Sequence, residues 1–146
     1  MLSYLILMKD NLIIAKFKKQ LMKSGKLFIA TKILNDTLAE VASRGPAPPK
    51  NLVGAINNTK PLVILKQVRV RGNMFTVPFP QTPSQQINSS INLLIKSART
   101  QKIPLRKALA NELISSFQGR SLTVKEVEKL HSIAVKNKVF STYRWF

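Results

Sequence analysis

Only one stretch of this 146-residue chain reads as β structure, and it dictates what the rest must do. From Pro61 to Phe79 two apolar, β-branched runs, Leu62–Val70 and Met74–Phe79, flank Arg71-Gly72-Asn73. Gly72 and Asn73 tolerate positive φ, so the segment predicts a tight hairpin over about 62–79. Gln67, Arg69 and Arg71 fall at spacing two and are expected on one face, with Val68 and Val70 on the other. A lone two-stranded ribbon is marginal in water, so its apolar face needs support from elsewhere. Everything on either side reads as helix. The expectation is a cationic arm carried by a helical body.

The helices follow from periodicity. Ile13, Ile14, Phe17 and Leu21 recur at three and four, predicting an amphipathic helix over about 10–23 that Ser24-Gly25 ends. The short apolar run Leu2–Met8 is expected to stop at Lys9-Asp10. A second helix over about 26–42 has Leu27, Ala30, Leu34, Leu38 and Val41 as its inner stripe. The Pro-rich loop 43–49 leads to a short helix over about 49–58, with Pro49 in its first turn. After the ribbon, Thr82 caps and Pro83 opens a helix over 83–100, where Ile87, Ile91, Leu94, Ile95 and Ala98 form the strongest apolar stripe of the chain. Pro104 opens another over 104–118 with Leu105, Leu109, Leu113 and Phe117 inward and Gly119 at its close. Thr123-Val124-Lys125-Glu126 has the form of a capping box and starts a last helix over 123–136. The fold class is mainly α, about six helices with one ribbon between the third and fourth. The chain is long enough for one domain, 1–146, and short for two.

Charge narrows the function. There are 24 Lys and Arg against 6 Asp and Glu, a formal net charge of +18. No acid lies between Val41 and Asn111, where eleven Lys or Arg sit. Such a field repels itself unless a polyanion neutralises it, and the clustered basic footprint points to nucleic acid. Cysteine is absent and His131 is the only histidine, which excludes thiolate and multi-histidine metal sites and leaves no cofactor signature. Six scattered acids supply no paired-carboxylate or histidine constellation, so an enzyme is not expected. A secretory leader would place basic residues before the apolar run, and here the order is reversed; no Arg occurs before Arg44 to suggest a transit peptide. No membrane span is expected. A basic DNA-compacting or regulatory protein is the rival reading, although no recognition-helix pattern supports it.

Three motifs carry a resemblance. Lys66-x-x-Arg69-Val70-x-Gly72-x-x-Phe75-x-Val77-Pro78, Leu109-Ala110-Asn111-Glu112-Leu113, and His131-x-x-Ala134-x-x-Asn137-Lys138-x-Phe140-x-x-Tyr143-Arg144-Trp145 resemble the small-subunit ribosomal protein seven family in order and spacing. The last motif is the most specific. The resemblance implies a helical bundle with a protruding ribbon, bound to the head domain of small-subunit rRNA. It also implies neighbouring small-subunit proteins as partners, with mRNA and exit-site tRNA near the ribbon. Carried onto this chain, the RNA-facing residues are Lys16, Lys18, Lys19, Lys23 and Lys26 on and after the first helix, Lys66, Arg69 and Arg71 on the ribbon, and Lys96, Arg99 and Lys102 after it. Arg144 is a further RNA-binding candidate, stacking on bases with Tyr143 and Trp145; the alternative is that the aromatics lock the tail onto the bundle. Where bacterial members have an arginine pair after the ribbon, this chain has Gln85-Gln86, so that contact is either lost or carried by hydrogen bonds. The chain also lacks an arginine-rich N-terminal arm and stops at Trp145-Phe146. With a composition rich in Asn, Ile and Lys, these departures resemble a mitochondrial member, a plastid or bacterial cytoplasmic setting being the alternative. His131 and Glu112 are expected to be structural.

Overall fold

A computed structural model describes residues 2–44 and 47–145, with side chains from Leu12 onward except that of Pro49. The elements run α1 (Leu2–Leu21), α2 (Leu27–Arg44), α3 (Pro48–Asn58), β1 (Val63–Val70), β2 (Asn73–Pro80), α4 (Pro83–Thr100), α5 (Leu105–Phe117), α6 (Leu122–Lys136) and a 3-10 helix (Lys138–Trp145). This is the expected layout, six α-helices among the described residues with the ribbon between the third and fourth. No helix among the described residues is long and apolar enough to cross a membrane.

The core lies where the stripes meet. Phe17, Leu34, Leu52, Ile91, Leu94 and Leu109 are buried almost completely in one cluster drawn from α1 through α5. The central helix is α5, which packs on α2, α3, α4 and α6. It closes with two bonds from beyond its end: Gly119 N–H donates to Ser116 O (3.0 Å) and Arg120 N–H to Ser115 O (2.9 Å), with Gly119 at φ +73°. That pairing is a Schellman cap, which calls for a residue at ease in the left-handed region.

Several expectations shift. α1 starts at Leu2 rather than near Asp10, because Leu2–Met8 continues the helix instead of ending at Lys9-Asp10. The loop expected over 43–49 contracts, since α2 runs on to Arg44 and α3 begins at Pro48; Gly45 and Pro46 lie outside the described residues, as does Phe146. Leu27 is half exposed rather than inward, being the first residue of α2, one turn before Ala30 reaches the core. Phe117 is 40% exposed, its ring lying over Gly54 at the end of α5. α6 is capped by Ser121, whose Oγ accepts from Val124 N–H (3.1 Å), not by a box on Thr123. Thr123 is fully buried and turns to Glu112 instead.

The ribbon is a two-residue hairpin in antiparallel register, Val70 opposite Asn73 and Lys66 opposite Val77. The positive-φ residues are Arg71 (+49°) and Gly72 (+87°). Asn73 belongs to β2, so the turn sits one residue earlier than expected and Arg71 leaves the alternation of Gln67 and Arg69. Both central φ values are positive, as in a type I′ turn, whose twist matches that of the strands.

Support for the ribbon comes from the chain's end. Phe75 packs against Phe140 and Tyr143, ring centroids 5.1 and 5.2 Å away. At the base, Leu62 N–H donates to His131 Nε2 (3.1 Å), and Arg144 Nε–H donates to Pro78 O (2.9 Å). His131 is therefore structural, as expected.

Candidate nucleic-acid interface

The cations of the first region are arranged by α1 and the turn that follows it. Phe17 and Leu21 face the core, which leaves Lys19 and Lys23 in solvent and Lys16 and Lys18 half-buried on the flanks. Lys16 Nζ donates to Ser84 Oγ (3.1 Å) in the first turn of α4, so this lysine bridges two helices. After α1 the chain reverses through Ser24 (φ +53°) and Gly25 (φ +73°), with Lys26 N–H donating to Lys23 O (3.2 Å). Lys23 and Lys26 are thus the corner residues of a tight turn, and their Cα atoms are held within about 7 Å of one another.

α4 adds the next cations. Ile91, Leu94, Ile95 and Ala98 are buried, so Lys96 and Arg99 point away from the core. Arg99 joins Lys23 and Lys26 around one groove of about 310 Å³ floored by Leu21, Ala30 and Ile33. Lys96 lines a different groove, about 250 Å³, between α4 and the ribbon base near Ile64 and Gln81. Lys102 is exposed beyond the end of α4.

On the ribbon, Lys66 and Arg69 are exposed, and Lys66 Nζ stands 5.0 Å from the centroid of the Phe79 ring. That cation–π contact orients the ammonium without removing its charge. Arg71, at the tip, shares a cavity of about 260 Å³ with Val70, Asn73, Phe75 and Tyr143. Arg144 spends its Nε–H on Pro78 O, and Tyr143 on the Phe75 cluster. Both contacts hold the tail on the ribbon base, while Arg144 and Trp145 remain exposed, Trp145 to 92%. The glutamines after the ribbon are engaged locally. Gln85 Oε1 accepts from Thr82 N–H (3.1 Å) and Gln86 Nε2–H donates to Gln81 O (3.1 Å). They order the start of α4.

Acidic groups do little to offset this surface. Glu112 is 2% exposed and turned inward, and Glu40 pairs with Arg44, the ion pair found among the described residues. Arg44 also donates to Asn111 Oδ1 (2.9 Å), so Asn111 ties α2 to α5, and Glu112 ties helices together as expected. Among the described residues no group of three or more His, Cys, Asp or Glu side chains could hold a metal. The sequence reading missed the apolar floor beneath Lys23, Lys26 and Arg99. Its signal was available in Lys23-Ser24-Gly25-Lys26, a turn tetrapeptide with a lysine at each corner.

The comparisons agree with the motifs. The family model described as ribosomal protein S7p/S5e matches residues 5–138. The chain is 37% identical over 135 residues to the small ribosomal subunit protein uS7 of Desulfovibrio desulfuricans, covering 91% of this chain and 86% of the relative. It is 31% identical to that of Halorhodospira halophila over 134 residues (91% and 86%) and 32% to that of Syntrophus aciditrophicus over 137 (92% and 88%). By motif, fold and match across nearly its whole length, the chain belongs to the ribosomal protein S7p/S5e family.

Proposed function

We propose that this protein is a structural, non-enzymatic constituent of the small ribosomal subunit that binds the head domain of its rRNA and fixes one arrangement of an RNA junction. The observation that carries the reading is the unneutralised charge. A net +18 is presented by a folded helical surface on which a single ion pair occurs among the described residues. An RNA duplex hides its major groove, so shape and phosphate contact govern recognition on such a surface. Lys16, Lys18, Lys19, Lys23, Lys26, Lys66, Arg69, Lys96, Arg99 and Lys102 form the phosphate-facing set. Arg71 and the ribbon tip extend toward mRNA and exit-site tRNA, and Arg144, exposed and bonded to Pro78 O through Nε, holds the ribbon base while offering its other N–H groups to RNA.

The named relatives are all bacterial, which supports a ribosome of bacterial type. The Asn-, Ile- and Lys-rich composition favours the mitochondrial version of such a ribosome over a bacterial cytoplasmic one, and cell fractionation with antibody detection separates the two. Hydroxyl-radical footprinting of the full chain on small-subunit rRNA tests the central reading. Protection concentrated in the head domain supports it. Protection spread evenly over the RNA, or none, overturns it.

A further inference from the structure

We infer that the groove beneath Lys23, Lys26 and Arg99 seats the base of one unstacked ribonucleotide, with its flanking phosphates on those three cations. The inference rests on the RNA-binding reading above and names the RNA feature this face takes.

Three observations converge on it. First, the floor is apolar and open. Ile29 is 51% exposed beside the buried Leu21 and Ala30, and no acid lines the groove. Second, the rim is cationic from two independent elements, the turn after α1 and the outer face of α4. Third, the turn is held in a costly shape. Ser24 adopts φ +53°, which side chains other than glycine rarely take, and open space surrounds the next residue, Gly25, so close packing does not force the conformation. Here its effect is to set two lysines side by side over the groove.

The ligand chemistry follows from floor and rim together. A duplex offers phosphates to the rim but keeps its base faces stacked, leaving Ile29 in water. A splayed nucleotide satisfies both surfaces: its base covers the aliphatic floor beside the Arg99 guanidinium, and unstacked bases are what sequence-specific RNA-binding proteins most often take. The volume of about 310 Å³ lies within the roughly 300–1,000 Å³ of small-ligand clefts.

Photo-crosslinking tests it with the full chain and a short single-stranded oligouridine carrying one central 4-thiouridine, the attachment points being mapped by mass spectrometry. The expected crosslinks fall within residues 21–33 or 99–105. Ile29→Asn, a neutral change at an exposed position, should cut their yield at least about fivefold with an unchanged melting temperature, since fivefold corresponds to about 1 kcal/mol and covering one or two methylenes of the isoleucine side chain is worth about that. The same strand annealed to oligoadenosine should not crosslink there. Crosslinks elsewhere, an unaltered yield in Ile29→Asn, or equal yield from the duplex would overturn the proposal. Head-domain footprinting separates the two readings: a retained footprint without these crosslinks removes the nucleotide seat alone, whereas a lost footprint removes the RNA-binding reading itself.

Discussion

Glu112 Oε1 accepts two hydrogen bonds from Thr123, one from the backbone N–H at 3.1 Å and one from Oγ1–H at 2.6 Å. Its Oε2 accepts from Gln101 Nε2–H at 3.1 Å. One buried carboxylate on α5 therefore fastens the end of α4 and the first turn of α6. Near-complete burial of Glu112 and Thr123 leaves no water to replace these bonds.

Glu112→Ala should accordingly destabilise the fold by about 3 kcal/mol, because it strands the Thr123 and Gln101 donors. Glu112→Gln keeps an amide oxygen for Thr123, and Gln101 can turn its amide over to accept from the new NH2, so the loss should be only about 1 kcal/mol, mainly from the weaker uncharged bonds. Denaturant unfolding of both variants checks the order. Equal losses would mean that the hydrogen bonds are not what holds α6.

Gly54 and Phe117 should behave as a coupled pair. A Cβ at Gly54 would stand 2.5 and 2.6 Å from the Phe117 ring carbons, too close to remain. Gly54→Ala is expected to cost about 1–2 kcal/mol by displacing the ring. In a Phe117→Ala background the same change should be neutral or stabilising, because alanine is the better helix former by about 1 kcal/mol. A double-mutant cycle by thermal unfolding gives the coupling, and additive effects would contradict the contact.

Arg71 offers a test at the ribbon tip. A non-glycine residue in the left-handed region costs roughly 1–2 kcal/mol, and asparagine bears that conformation more easily. Arg71→Asn creates an Asn-Gly turn and should slow hydrogen exchange of the ribbon amides. Affinity for head-domain RNA should stay within about threefold, a change under ~0.7 kcal/mol. The double change Lys66→Ala with Arg69→Ala should weaken affinity further, since each charge-assisted bond lost is typically worth ~1.5–3 kcal/mol. If the tip variant lost more affinity than the double variant, the tip would be the anchor.

What could be read from the sequence was what local pattern determines. The α4 stripe was legible because Ile91, Leu94, Ile95 and Ala98 repeat on one face, and all are buried. The start of α1 was not, because Leu2–Met8 is apolar at nearly every position and offers no phase to follow. Turn placement misled by one residue: propensity favours Asn73 for positive φ, whereas the pairing of Val70 with Asn73 hands that conformation to Arg71. Thr123 looked like a cap, yet the Glu112 carboxylate, eleven positions earlier, claims its hydroxyl. The bond from Leu62 to His131 joins residues 69 positions apart, and no local signal announces it. Among the candidate RNA residues, exposure was legible from helix phase, while the convergence of Lys23, Lys26 and Arg99 depends on how α1, α2 and α4 pack.

The central claim is that phosphate neutralisation by a preformed cationic surface drives binding, and the salt dependence of affinity measures it directly. Each neutralised phosphate releases counterions, so log affinity should fall linearly with log salt, with a slope of about −0.9 per duplex phosphate contacted. Six to ten such contacts predict a loss of roughly 10³–10⁵ in affinity for head-domain RNA between about 50 and 200 mM salt. A slope near zero over that range would contradict the account.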